Sequence, residues 1–291
     1  MINTLDTGFR DVYGNPIMSG FVDMLNEDYH ASPGISKSHL DVIAMKSPRH
    51  YWYKYLSGQC EPEKPSAATY LGSAMHTSIL EMERFEDIYF KLPTFANVAN
   101  SNAGRAERKK ARDENPGRLP LSKDEYEICL RTRDAADANP LVRGLLSNGI
   151  AEQSVFALDE ETGELIKCQP DYLHRDFEYV VDIKSAKDAS EYQFSKDSGN
   201  YRYPVQEAWY KFVMWKAFNI DMSIRNFFFI ALEKEPPYCM GAYQHVPEDV
   251  MLGHEAAMRD YHRIIDAKRT GYFPDFATKI HSLRTPAWAR M

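Results

Sequence analysis

Apolar side chains recur at two different periods along this chain, and the period changes near its midpoint. Ahead of Gly149 the spacing is helical. Leu40, Val42, Ile43 and Met45 follow Ser36 and Ser38, either of which can cap a helix. Ser47-Pro48 supplies a second cap, with proline at the first helical position, ahead of Tyr51-Trp52-Tyr53-Lys54-Tyr55-Leu56. From Ala67 to about Tyr89, the positions Leu71, Met75, Ile79, Met82 and Phe85 keep one face apolar, which predicts one long amphipathic helix despite Gly72. Residues 122–138 predict another, capped by Ser122, with Asp124 and Glu125 in its first turn and Asn139-Pro140 beyond its end.

After Gly149 the alternation shortens to that of strands. Residues 151–158, 165–174 and the β-branched run 179–183 predict a three-stranded meander. A helix follows Pro204 over 205–218, then strands at 225–232 and 238–246. A last helix opens at Pro247-Glu248-Asp249 and runs to about Lys268. This order predicts an α/β fold with a mixed central β-sheet flanked by helices. Residues 1–28 are turn-rich and expected as a loosely ordered arm, 29–270 as a single domain and 271–291 as a C-terminal tail. Residues 101–118 differ in kind. Arg105, Arg108, Lys109, Lys110, Arg112 and Arg118 stand against Glu107, Asp113 and Glu114, with almost no large apolar side chain among them. The segment is expected as a mobile basic insertion, either a solvated loop or frayed helix, or a DNA-contacting loop.

Composition narrows the class. Of 291 residues, 44% are hydrophobic and 26% charged, the balance of an ordinary globular chain, which argues against global disorder, collagen or coiled coil. Lys+Arg is 35 against 42 Asp+Glu, a net charge of −7, so bulk positive charge cannot coat a nucleic acid here, although a local groove still can. No stretch approaches the roughly 20 apolar residues of a membrane span, and the first residues lack the basic-then-apolar order of a signal peptide. A cytoplasmic location is therefore expected. Cys60, Cys129, Cys168 and Cys239 include no C-x-x-C pair, and all are expected as buried free thiols.

The chemistry concentrates in Lys167-Cys168-Gln169-Pro170-Asp171 and Val180-Val181-Asp182-Ile183-Lys184. Asp182 and Lys184, two residues apart on a strand, leave the same face, while Val181 and Ile183 point to the core. A hairpin brings Asp171 beside Asp182, and paired carboxylates suit a hard cation, Mg²⁺ or Mn²⁺. Asp/Glu-x-Lys by itself carries nothing, because it also occurs at Glu107-Arg108-Lys109 and Asp266-Ala267-Lys268. Only the middle copy lies in a β-branched run with a Pro-Asp on the strand before it.

These residues resemble the PD-(D/E)XK nuclease superfamily. Gly72-x-x-x-His76 matches an element that precedes the catalytic hairpin in its RecB-like branch, Gln206-x-x-x-Tyr210 matches the helix after it, and Glu152 stands where that branch carries an acidic residue. Residues 29–38, Ser47-Pro48-x-x-Tyr51 and Leu71-Gly72-x-x-x-His76 are similar to elements of the RecE-type exonucleases of phages and prophages. Gln169 departs from that family, which often has Arg before the Pro-Asp.

The resemblance implies a Mg²⁺-dependent exonuclease that digests the 5′-ended strand of linear duplex DNA and leaves 3′ overhangs for strand-annealing recombination. It implies His76, Asp171, Asp182 and the Ile183 carbonyl as metal ligands, Lys184 as the group that positions water, and Glu152, Gln206 and Tyr210 as supporting site residues. It further implies a RecT-like annealing partner and a ring of copies whose positive charge lines the channel, with the basic segment 101–118 facing DNA. The residues leave open a nuclease carrying an iron–sulfur cluster, a restriction-like endonuclease and a catalytically silent DNA-end-binding protein.

Overall fold

Strands come first where a loose arm is expected. In the computed structural model, which describes residues 5–61, 66–286 and 289, β1 (Asp6–Arg10) and β2 (Pro16–Met18) form a hairpin and β3 (Gly20–Val22) follows. Ile17 gives the reason, since it is buried with Tyr29, Phe156 and Leu165, and Phe9, Val22 and Met24 pack against the same cluster. Three helices follow, α1 (Asn26–Ala31), α2 (Lys37–Met45) and α3 (Pro48–Tyr55). Ser47 caps α3 by accepting the His50 amide at 3.3 Å, with Pro48 at the first position.

The helix expected over 67–89 is two, α4 (Ala67–Leu80) and α5 (Met82–Ile88), ahead of β4 (Tyr89–Lys91). Glu81 separates them with a non-helical φ of −132° and ψ of 53°. Met75 and Phe85 still bury in one cluster across the break, so the apolar stripe continues while the helix does not. The basic segment is not a mobile loop. It holds α6 (Asn102–Asp113), whose buried residues are Gly104 and Ala111, too small to register as an apolar stripe. Then come β5 (Leu119–Leu121), α7 (Lys123–Ala138) and α8 (Pro140–Leu145). Ser122 and Glu125 cap α7 reciprocally, and Asn139-Pro140 both ends α7 and starts α8.

The second half supplies β6 (Gly149–Ala151), β7 (Ser154–Asp159), β8 (Glu164–Cys168), β9 (Tyr172–His174), β10 (Tyr179–Ala186), α9 (Glu191–Asn200), α10 (Tyr203–Phe218), β11 (Asn226–Glu233), β12 (Met240–Tyr243) and α11 (Pro247–Thr270). A five-stranded sheet runs β12-β11-β10-β9-β6, with β10 and β11 parallel and the other neighbours antiparallel, and a three-stranded sheet runs β3-β7-β8. The mixed α/β class is the expected one; the simple meander is not what forms. Two stretches that read as single strands each leave one sheet for the other, at Glu152-Gln153 between β6 and β7 and at Gln169-Pro170-Asp171 between β8 and β9. Pro170 has no N–H to continue a ladder, and Glu152 takes a left-handed φ of 49°.

Helices bury both faces of the larger sheet. On one side Trp209 of α10 and Tyr261 of α11 pack with Val180, Phe227 and Phe229; on the other, Ala74, Met75 and Cys129 of α4 and α7 pack with Val181, Ile183 and Ile230. The four cysteines are free, but only Cys129 and Cys168 are buried, in different clusters; Cys60 is half-buried and Cys239 exposed because their loops carry no apolar cover. Among the described residues no helix is long and apolar enough to cross a membrane.

Lys167 is buried on β8, its ammonium donating to the carbonyls of Tyr29 at 2.5 Å and Ser32 at 2.6 Å and lying 4.6 Å from the Tyr29 ring centroid. Burial lowers its pKa to about 7. Below pH 7 both the folded and the unfolded chain hold the proton, and the folded state bears the full desolvation cost. As pH rises from 7 towards the ordinary lysine value, the unfolded chain binds more protons and the folded state gains stability. The melting temperature of wild type relative to Lys167→Met should therefore climb between pH 7 and 9.5. A difference that stays flat over this range would show the ammonium charged throughout.

Candidate active site

Glu152 and Asp171 sit at the two sheet-to-sheet crossings, and one hydrogen bond ties them, from the Glu152 amide to the Asp171 carbonyl at 3.0 Å. The left-handed backbone at Glu152 costs a non-glycine residue on the order of 1 kcal/mol, a strain that clusters at functional positions. Gln169 supports this bend. Its Nε2 donates to the Glu152 carbonyl at 3.2 Å and lies 3.4 Å from Ser154 Oγ. The glutamine that departs from the family pattern thus holds the crossing together.

His76 faces both carboxylates from α4. Its Nδ1 lies 3.5 Å from Asp171 Oδ2 and 3.9 Å from Glu152 Oε1. His76, Glu152 and Asp171 offer ligand atoms all within 4.8 Å of one another. Gly72, one turn earlier on α4, is not sterically required, since a Cβ there would meet Ser185 Oγ at an ordinary 3.7 Å.

Asp182 and Lys184 share a face of β10, which looks towards α10. The Asp182 carboxylate takes Lys184 Nζ at 2.5 Å on Oδ1 and Gln206 Nε2 on Oδ2, and Lys184 Nζ donates to Gln206 Oε1 at 3.0 Å. The Tyr203 ring centroid lies 4.9 Å from the same ammonium. The Asp171 carboxylate bridges to this strand by accepting the Ile183 amide at 2.6 Å. Tyr210 is one turn beyond Gln206 with its ring 6.1 Å from Phe227, but among the described residues no hydrogen bond joins its hydroxyl to the carboxylates.

Charge is out of balance here. Asp171 is pushed up to about 6 by burial and then by the Asp182 charge, against the opposing pull of His76, Lys184 and the Ile183 amide. Glu152 is pushed well up by burial, then by Asp171, Glu81 and Asp182, with Arg84 opposing. Burial, with Asp182 next, holds the Tyr210 phenol well above its ordinary range, so it stays protonated. Carboxylates that raise one another's proton affinity fit a divalent cation, which would compensate the charge they share. Solvent reaches His76, Glu152 and Asp171, whose side chains are 23%, 21% and 13% exposed, whereas Asp182 is 1% exposed. An ion would therefore reach the site from the side of the first three. Of the expected ligands, the structure draws His76 and Asp171 together and adds Glu152, while it commits the Asp182 carboxylate to Lys184 and Gln206.

Residues 37–286 match the family described as a PDDEXK-like domain of unknown function (DUF3799). No curated protein matches the chain. A crystal structure from Eubacterium rectale described as "Putative exonuclease" superposes with a TM-score of 0.60 at 14% identity, covering 91% of this chain and 96% of that one. At that identity the likeness is one of fold.

Proposed function

Because the chain belongs to the PDDEXK-like family DUF3799, and so to the PD-(D/E)XK nuclease superfamily, we propose that it is a Mg²⁺-dependent exonuclease of the RecE type. In this reading it hydrolyses the 5′-ended strand of linear duplex DNA and leaves 3′ overhangs, with residues 29–270 as its nuclease domain. The observation that carries the reading is the convergence of His76, Glu152 and Asp171 within 4.8 Å, beside an Asp182–Lys184–Gln206 chain.

His76, Glu152 and Asp171 would hold the ion, with Asp182 and the Ile183 carbonyl as the further ligands the family pattern implies. A divalent cation supplies positive charge to the reacting phosphate and lowers the pKa of the attacking water. The chain's own groups do the positioning. An ammonium carries three N–H donors; Lys184 gives one to Gln206 Oε1 and pairs electrostatically with Asp182 Oδ1, which leaves donor capacity for the attacking water or a phosphate oxygen. Gln206 braces both partners. The same reading places the protein in a bacterial cytoplasm, acting as a ring of copies with a RecT-like annealing protein, where the net −7 charge belongs to the outer surface.

Purified protein should release nucleotides from linear duplex in Mg²⁺, none in chelator and none from closed circular DNA, and a 5′ label should be lost before a 3′ label. Cutting of circles would replace the exonuclease with an endonuclease. Intact linear duplex would leave only a DNA-end-binding protein.

A further inference from the structure

Three aromatic rings form a column that starts in the core and ends in solvent. Phe229, 0% exposed, stacks on Tyr203 at 5.4 Å and 16°, and Tyr203, 8% exposed, stacks on Tyr201 at 5.9 Å and 21°. Tyr201 is 60% exposed, and among the described residues no ring continues the column beyond it. Its backbone is fixed, for the Tyr201 carbonyl accepts Lys37 Nζ at 2.7 Å and its amide donates to the Asp197 carbonyl at 2.8 Å. The column therefore presents a rigid π-face to solvent.

Tyr201 and Tyr203 line an open cleft of about 610 Å³ together with Lys184, Lys187 and Lys234. β10 and β11 are parallel with Ala186 opposite Glu233, which puts the next residues, Lys187 and Lys234, side by side at the carboxyl ends of the strands. Ligands of open α/β sheets bind at such ends. Lys184 is committed to Asp182 and Gln206, but among the described residues neither Lys187 nor Lys234 has an ion pair. Two carboxylates also line the cleft, Asp188, which accepts the Ser190 amide, and Asp197, which accepts Gln193 Nε2; these bonds do not cancel their charge, and among the described residues neither pairs with Lys187 or Lys234. Adjacent ammonium groups without an ion pair repel, and an anion between them relieves the repulsion.

We propose that this cleft binds single-stranded DNA next to the scissile phosphate. One unstacked base extends the Phe229–Tyr203–Tyr201 column, and the adjoining phosphodiester lies between Lys187 and Lys234. A base inside a duplex has both faces covered by its neighbours, so away from duplex ends only a melted or single strand can extend the column. The position on the substrate path rests on the nuclease reading; the binding itself does not.

Fluorescence anisotropy of a labelled oligothymidylate with the whole protein in chelator tests this. Tyr201→Ala should weaken binding about 5- to 150-fold, the range for one lost base-stacking contact, and Tyr201→Phe should restore it. Lys187→Gln with Lys234→Gln should weaken binding and flatten the slope of log affinity against log salt by about 0.7 per lysine. Affinity for a closed circular duplex, which has no open base face, should barely respond to Tyr201→Ala. Unchanged oligothymidylate affinity in both variants, or an equal loss on duplex and single strand, would overturn the proposal. Since no metal is present, inactivity of the protein as a nuclease leaves these outcomes standing, and their failure leaves metal-dependent digestion standing.

Discussion

Asp171→Asn should reduce metal-dependent hydrolysis of duplex DNA by about a thousandfold or more while leaving the apo protein at least as stable as wild type. The two effects have opposite origins. The Asp171 carboxylate lies 3.5 Å from His76 and is held up to about 6 by burial and by Asp182, so its charge is a burden to the empty site. An asparagine keeps the shape and can still accept the Ile183 amide, but it neither attracts a cation nor repels Asp182. Charge stabilisation by a bound metal is worth several kcal/mol in the transition state, and each 1.36 kcal/mol is tenfold in rate. A ligand that binds only the folded state raises the melting temperature, so Mg²⁺ should raise it in wild type and not in Asp171→Asn. In wild type the rise should fade as pH drops through about 6, where Asp171 takes up a proton that competes with the metal. Activity within tenfold of wild type, or an unchanged Mg²⁺ response, would remove Asp171 from the metal site.

Trp209→Ala should cost about 3–5 kcal/mol of stability, the range for emptying a large aromatic site in a close-packed interior. Trp209 is 0% exposed, its ring lies 5.2 Å from Tyr261 and 5.6 Å from Phe212, and its Nε1 donates to the Lys167 carbonyl at 3.1 Å. It thereby joins α10, α11 and the β7–β8 sheet. At about 2–4 °C per kcal/mol for a chain of this order of size, the melting temperature should fall by about 10 °C. Trp209→Phe, which keeps a ring and loses the donor, should cost about 1–2 kcal/mol. A loss under about 1 kcal/mol for the alanine variant would mean that the neighbouring rings collapse into the space.

What could be read from the sequence is what local periodicity encodes. The β-branched run put Asp182 and Lys184 on one face, and its Val181 and Ile183 do enter the opposite core. The four-residue spacing of Gln206 and Tyr210 put both on one side of α10, yet only Gln206 reaches the carboxylate. The place of Glu152 could not be read, because it depends on a left-handed backbone and on a hydrogen bond from Gln169, 17 residues further on. Nor could the crossings at Glu152-Gln153 and Gln169-Pro170-Asp171, since a strand that changes sheets keeps the same alternation. Helix α6 escaped because glycine and alanine form its buried face, and the break at Glu81 escaped because apolar contacts continue through it.

The paired crossings also have a mechanical meaning. The stretches β6–β7 and β8–β9 form one bent bar clamped at both ends, in the five-stranded sheet by β9 against β10 and in the three-stranded sheet by β7 against β3. Glu152 and Asp171 ride together at the elbow, and the Ile183 amide pins the Asp171 carboxylate to the β10 arm that carries Lys184. The elbow therefore cannot bend without breaking that bond, so the spacing between the two carboxylates and the Lys184 ammonium is set by paired strands and not by loops.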